Sequence, residues 1–185
     1  AAVWRELARS RRLASLPKGA SVAVAVGSRG VADIPALAHA TVGWLADKGL
    51  APFVVPAMGS HGGGTAEGQR AVHLGVTEER LGCPIRATMA TVSYGRTALG
   101  PECRFDANAA AADAVVTIAR VKAHTSFDRP VESGLVKMVA VGLGKQEGAR
   151  NVHRLGVRGY TEVLPELARI AIAKAPLAYG LAVVE

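Results

Sequence analysis

Short apolar runs that alternate with helical patterns constrain this chain more than any other feature. Ser21–Val26 reads SVAVAV and is closed by Gly27, and Pro52–Pro56 and Ala114–Ala119 are runs of the same kind. Runs this short and apolar, with no polar alternate, are expected of strands buried on both faces, as in a parallel sheet. Between them, Asp33 is placed to cap a helical pattern that extends to about Lys48, with Gly49 as its stop. Thr65–His73 is predicted helical, Pro84–Met89 extended and Asp106–Ala112 helical. Alternation of this kind requires crossover connections, so the predicted fold class is α/β, a mostly parallel sheet with helices on both faces.

The flanking segments follow the same reading. Val3, Leu7, Leu13 and Leu16 fall among arginines at the spacing of an amphipathic helix, ended by Pro17, Lys18 and Gly19. Glu132–Val141, Lys145–Leu155 and Glu162–Lys174 are predicted helical, and Leu181–Val184 reads as a final strand. Neither a repeat nor a linker interrupts the pattern, so residues 1–185 are expected to form one domain. Half of the chain is apolar but only 4% is aromatic, so the core must be built largely of Ala, Val and Leu.

Charge and cysteine content narrow the function classes. The formal charge of +7 raises the question of nucleic acid, but apart from Arg9, Arg11 and Arg12 the basic residues are scattered, and few aromatics interleave with them. A cleft for a small anion suits the balance better. Cys83 and Cys103 lack CxxC spacing and are expected to be buried free thiols. No apolar run reaches the ~18 residues of a bilayer span, and the expected location is cytoplasmic.

Ligands of parallel sheets gather beyond the carboxyl ends of the strands. Three polar loops fall there: Gly27–Gly30 with Arg29, Gly59–Gly64 with Ser60 and His61, and Lys122–Thr125 with His124. The guanidinium of Arg29 suits a carboxylate. The backbone amides of Gly59, Gly62 and Gly63, with Ser60, suit a phosphate or carboxylate, although the loop matches neither the dinucleotide fingerprint nor the P-loop. Farther along, Lys137 interrupts the apolar LVKMVA, where an ammonium is out of place unless something compensates it. His124 and His153 bracket that lysine, and imidazole can move protons or bind metal near neutral pH. His39 and His73 lie in helical patterns with no polar cluster beside them and are read as structural or surface residues.

These residues resemble the nickel-pincer lactate racemase family, through SRG at Ser28–Gly30, GSHGG at Gly59–Gly63 and the long motif VKAHTSF…ESGLVKM…GLGKQEGA…H from Val121 to His153. The resemblance implies a Rossmann-like N-terminal lobe of a two-domain protein, with the active site between the lobes. It also implies a nickel-pincer nucleotide as cofactor, tethered through a thioamide at Lys137, with its nickel ligated by His153. His61 and His124 would then be the acid/base pair, one on each face of the α-carbon, and Arg29 would orient the substrate carboxylate. One histidine would take the hydroxyl proton as the α-hydride leaves, giving a planar 2-keto acid that can be re-reduced from the opposite face. Lys145 and the glycines of Gly142–Gly148, with the Gly59–Gly64 loop, would cradle the cofactor phosphate.

Two departures qualify the match. Between His124 and Lys137 the segment TSFDRPVESGLV is longer and less rich in Gly and Ala than in the lactate racemases, so Asp128, Arg129 and Glu132 are expected to reshape the pocket, and both lactate and a larger 2-hydroxy acid stay open as the substrate. The family's second lobe, which adds a substrate-binding lysine and closes the cleft, has no counterpart in these residues; a fragment of this kind is expected to be inactive alone and to self-associate through the surface that lobe would cover. The alternative reading from the residues alone is a noncatalytic α/β module that binds a nucleotide or phosphorylated metabolite through the same loops. Neither nucleic acid nor membrane is expected as a partner.

Overall fold

The computed structural model describes residues 2–27, 33–71, 75–121 and 133–184. In chain order the elements are α1 (Ala2–Leu7), α2 (Arg11–Ala14), β1 (Ser21–Val26), α3 (Ile34–Asp47), β2 (Ala51–Pro56), a 3-10 turn (Gly62–Gly64), α4 (Ala66–Ala71), α5 (Glu78–Leu81), β3 (Thr91–Arg96), β4 (Glu102–Asp106), α6 (Ala107–Ala110) and β5 (Ala114–Val121). There follow α7 (Leu135–Lys137), a π-helical turn (Met138–Gly142), α8 (Lys145–His153), α9 (Gly156–Arg158), a second π-helical turn (Gly159–Val163), α10 (Leu164–Lys174) and β6 (Leu177–Val184).

The four long apolar strands form one parallel sheet in the order β2-β1-β5-β6. It is the Rossmann-like, helix-covered sheet expected of these strands. Successive side chains of a strand face opposite ways, and β1 uses both sets. Val22, Val24 and Val26 pack with Ala38, Val42 and Leu45 of α3, while Ala23 and Ala25 pack into a second core with Val152, Leu164, Leu167 and Ala171. A strand with a core on each face has no place for a polar residue, which is why its sequence shows no alternation.

Several boundaries differ from the sequence expectation. The predicted helix over Val3–Leu16 is two helices, because Ser10 adopts extended geometry and caps α2, accepting from the Leu13 amide while donating to the Ala178 carbonyl of β6. Asp33 stands at the N-cap of α3 but in the left-handed region, with no capping hydrogen bond from its side chain. The extended segment predicted at Pro84–Met89 contributes only Ile85, which bridges Val54 at the edge of β2. An antiparallel hairpin, β3 with β4, was not anticipated. In β4, Cys103 and Phe105 point inward and Glu102 and Arg104 outward, a period-2 pattern too short to stand out. Both cysteines are buried free thiols, one in each core, and burial pushes the Cys103 thiol up to about 11.

Lys145 ties these layers together. Its side chain is fully buried, and its backbone is one of two non-glycine residues among those described with positive φ, at 55°. An ammonium has three donors, and three acceptors surround it: the Pro56 carbonyl at the end of β2, Gln69 Oε1 of α4 at 3.2 Å and Asp106 Oδ2 at 2.8 Å. Asp106 is fully buried too, and its Oδ1 caps α6 by accepting from the Ala109 amide. Burial pushes the lysine pKa down, and the Asp106 carboxylate opposes that shift. None of the helices among the described residues is long and apolar enough to cross a membrane.

Removing one partner of a buried pair leaves the other charge uncompensated, so Lys145→Met is expected to cost about 3–5 kcal/mol of stability. Urea denaturation of the variant against the parent chain measures it.

Candidate functional site

A cavity of about 510 Å³ opens beyond the carboxyl ends of the central strands. Gly27 follows β1, Ala57 and Met58 follow β2, and Ile118, Ala119 and Arg120 end β5. The chain leaves β1 toward β2 on one side and returns to β5 on the other, so the cavity sits at the topological switch point of the sheet, where ligands of open α/β folds bind. Its far wall comes from α7, the first π-helical turn and α8, through Lys137, Met138, Val141 and His153.

The sequence candidates divide clearly. Ser60, His61, Lys137 and His153 all line this one cavity, although they come from different parts of the chain. Arg29 and His124 lie outside the described residues, as do Asp128, Arg129 and Glu132. Gly59 and Gly62 do not line the cavity and their lack of a side chain serves packing, while Gly63 is exposed with open space where a Cβ would stand. A Cβ on Gly62 would come 2.5 Å from the Gly68 backbone, and the Gly59 amide donates to the Gly142 carbonyl. Gly144 and Gly148 are packing glycines too, since a Cβ on Gly144 would meet the Ala140 carbonyl oxygen at 2.5 Å, whereas Gly142 lines the cavity. The expectation that Lys145 pairs with a cofactor phosphate is corrected as well. Its ammonium is enclosed in the core and its partner is Asp106.

That buried lysine nevertheless shapes the site. Gln69, which accepts from Lys145, donates through its Nε2 to the carbonyls of Gly59 at 2.8 Å and His61 at 3.3 Å. The loop that presents His61 is thus fastened from below by a buried amide. His61 itself is exposed at the cavity mouth.

Lys137 and His153 are joined through Tyr160, a residue the sequence reading passed over. The Lys137 ammonium lies 5.7 Å from the Tyr160 ring centroid, and the His153 ring is stacked on Tyr160 with centroids 5.9 Å apart and planes inclined by 30°. The first distance is within cation–π range. Tyr160 falls between the predicted helices Lys145–Leu155 and Glu162–Lys174, and α8 ends at His153, so no helical periodicity links the two in sequence. Lys137 immediately precedes one π-helical turn and Tyr160 lies within the other, and such turns recur at functional sites. Arg120 and Ser133 also line the cavity and were not singled out by sequence.

Partial burial, and then the nearby Lys137 charge, push the His153 pKa below the ordinary histidine value of 6.5. The imidazole therefore stays neutral and keeps a lone pair at neutral pH, the state that ligates a metal or accepts a proton. Among the described residues no group of three His, Cys, Asp or Glu side chains converges. Any metal held at His153 would need most of its donors from a ligand. Comparison with protein-family models gives no match, and no curated protein matches the chain.

Replacing Lys137 by Met removes the like charge and is expected to raise the His153 pKa. Because the lowered folded value favours the neutral ring, His153 protonation erodes stability as pH falls below the ordinary histidine range, and the variant should show less of that loss. An NMR titration of the His153 ring protons in both proteins checks the direction.

Proposed function

We propose that this chain is the cofactor-binding lobe of a 2-hydroxy-acid racemase or epimerase that works with a nickel-pincer nucleotide. The observation that carries the reading is the meeting of Lys137, His153 and His61 on a single cavity at the switch point of the sheet. The donor set fits such a group. Lys137 offers a primary amine for a covalent tether, and His153 offers a neutral imidazole for a metal that brings its remaining ligands with it. Tyr160 braces both side chains from one side.

When bound, the cofactor supplies an acceptor for the substrate's α-hydride. The chain's own residues supply the remaining functions. His61, at the mouth, takes the hydroxyl proton from one face of the substrate and returns it. His124 is assigned the opposite face and Arg29 the carboxylate, both on the strength of the family resemblance. Ile118, Ala119, Met138 and Val141 give the cavity an apolar wall, which lowers the local dielectric and strengthens the charge interactions within it. A cytoplasmic setting belongs to the same reading, and its support is that Cys83 and Cys103 are unpaired thiols.

Coexpression with the cofactor-making enzymes, followed by peptide mass spectrometry and nickel analysis, tests the proposal. The expected result is an adduct on the peptide containing Lys137 together with bound nickel. Lys137→Ala should lose the adduct, and His153→Ala should keep it while losing most of the nickel. An unmodified Lys137, under conditions that load a known family member, would turn the assignment toward a noncatalytic module for a nucleotide or phosphorylated metabolite.

A further inference from the structure

The β3–β4 hairpin and α8 enclose a second, polar cleft of about 270 Å³ that shares no lining residue with the first. Arg96 of β3, Arg104 of β4, Arg150 of α8 and Arg154 just past its end converge there, against two carboxylates, Glu102 and Glu147. Both carboxylates are engaged with the hairpin. Glu102 receives Arg96 on one oxygen and Arg104 on the other, each at 2.5 Å. Glu147 accepts from the Thr91 hydroxyl at 2.6 Å and lies 3.4 Å from Arg104 Nε. Among the described residues no carboxylate stands within ion-pair distance of Arg150 or Arg154.

Arg150 and Arg154 are four positions apart and so share a helix face, where like charges repel. The C-terminus of a helix tolerates cations, which accounts for their presence on α8, and the Glu102-paired Arg96 and Arg104 add two further guanidinium groups to the same cleft. Asn151 fixes the arrangement by donating to the Glu102 carbonyl at 2.9 Å, which holds α8 against β4. Among the described residues no aromatic side chain lines the cleft, so they offer no platform for stacking a base. A ligand would be recognised by its charge and by the oxygen geometry that a guanidinium fork matches.

We infer that this cleft binds the phosphate group of a small phosphorylated metabolite, with Arg150 and Arg154 as the contacts and the Glu102-held Arg96 and Arg104 as the surrounding positive wall. The site does not depend on the racemase reading. Its residues are scattered in sequence, and only the packing of the hairpin on α8 gathers them.

Titration calorimetry with inorganic pyrophosphate at low salt tests the inference. Saturable binding is expected in the parent chain, weakened at least about tenfold in Arg150→Gln/Arg154→Gln. Arg5→Gln/Arg158→Gln removes the same charge outside the cleft and should leave the affinity unchanged. If the glutamine pair does not fold, Arg150→Lys/Arg154→Lys serves instead, since it keeps the charge and removes the planar fork; weakened binding supports the site. Absence of saturable binding overturns the proposal, as does equal weakening by the control pair or unchanged binding in the lysine pair. A single-stranded oligonucleotide that binds through Arg150 and Arg154 with steep salt dependence, where pyrophosphate does not, would replace the small ligand by nucleic acid.

Discussion

The ammonium of Lys145 is the interaction on which the rest of this structure hangs. It is enclosed among the end of β2, the helix that follows the Gly-rich loop and the Asp106 turn that begins α6. A buried ion pair gives little net stability against an apolar replacement, because desolvation offsets most of the attraction. What it provides is register. Each of its three acceptors belongs to a different segment, so satisfying all three donors holds those segments together. Through Gln69 the same network reaches the carbonyls of Gly59 and His61, so the core and the rim of the cavity are mechanically one unit.

The cavity in turn depends on departures from regular helix. Two π-helical turns interrupt the C-terminal helices, one directly after Lys137 and one containing Tyr160. An extra residue in a turn shifts the side chains that follow onto a different face. Here it accompanies the stacking of Tyr160 on His153 with the Lys137 ammonium over the same ring. Burial and the lysine charge together keep the imidazole neutral. This wall therefore presents an amine and an unprotonated ring nitrogen against one tyrosine ring.

Legibility in the sequence followed the strength of the local pattern. Ser21–Val26 was readable to the residue because a strand buried on two faces admits nothing polar. The hairpin was not, since Tyr94 and Gly95 are half-exposed and Ser93 and Arg96 exposed, and a strand with so little burial leaves a weak signature. The break at Ser10 was hidden because it is made by a carbonyl 168 positions away. His61, Lys137 and His153 were identified as chemistry-bearing residues, Lys137 by its misfit in an apolar run. Tyr160 carried no such misfit.

By itself the sequence determined the buried parallel strands, the main helices between them and which residues carry titratable chemistry, because periodicity and side-chain type are properties of adjacent residues. Only the tertiary structure decided that Lys145 is a core anchor while Lys137, eight positions earlier, opens on the cavity. The two lysines differ in what folds over them, and that depends on Asp106, Gln69 and Pro56, none of them a neighbour in the chain. The same holds for the four arginines of the second cleft: charge is written along the chain, but its concentration is a matter of which surfaces meet.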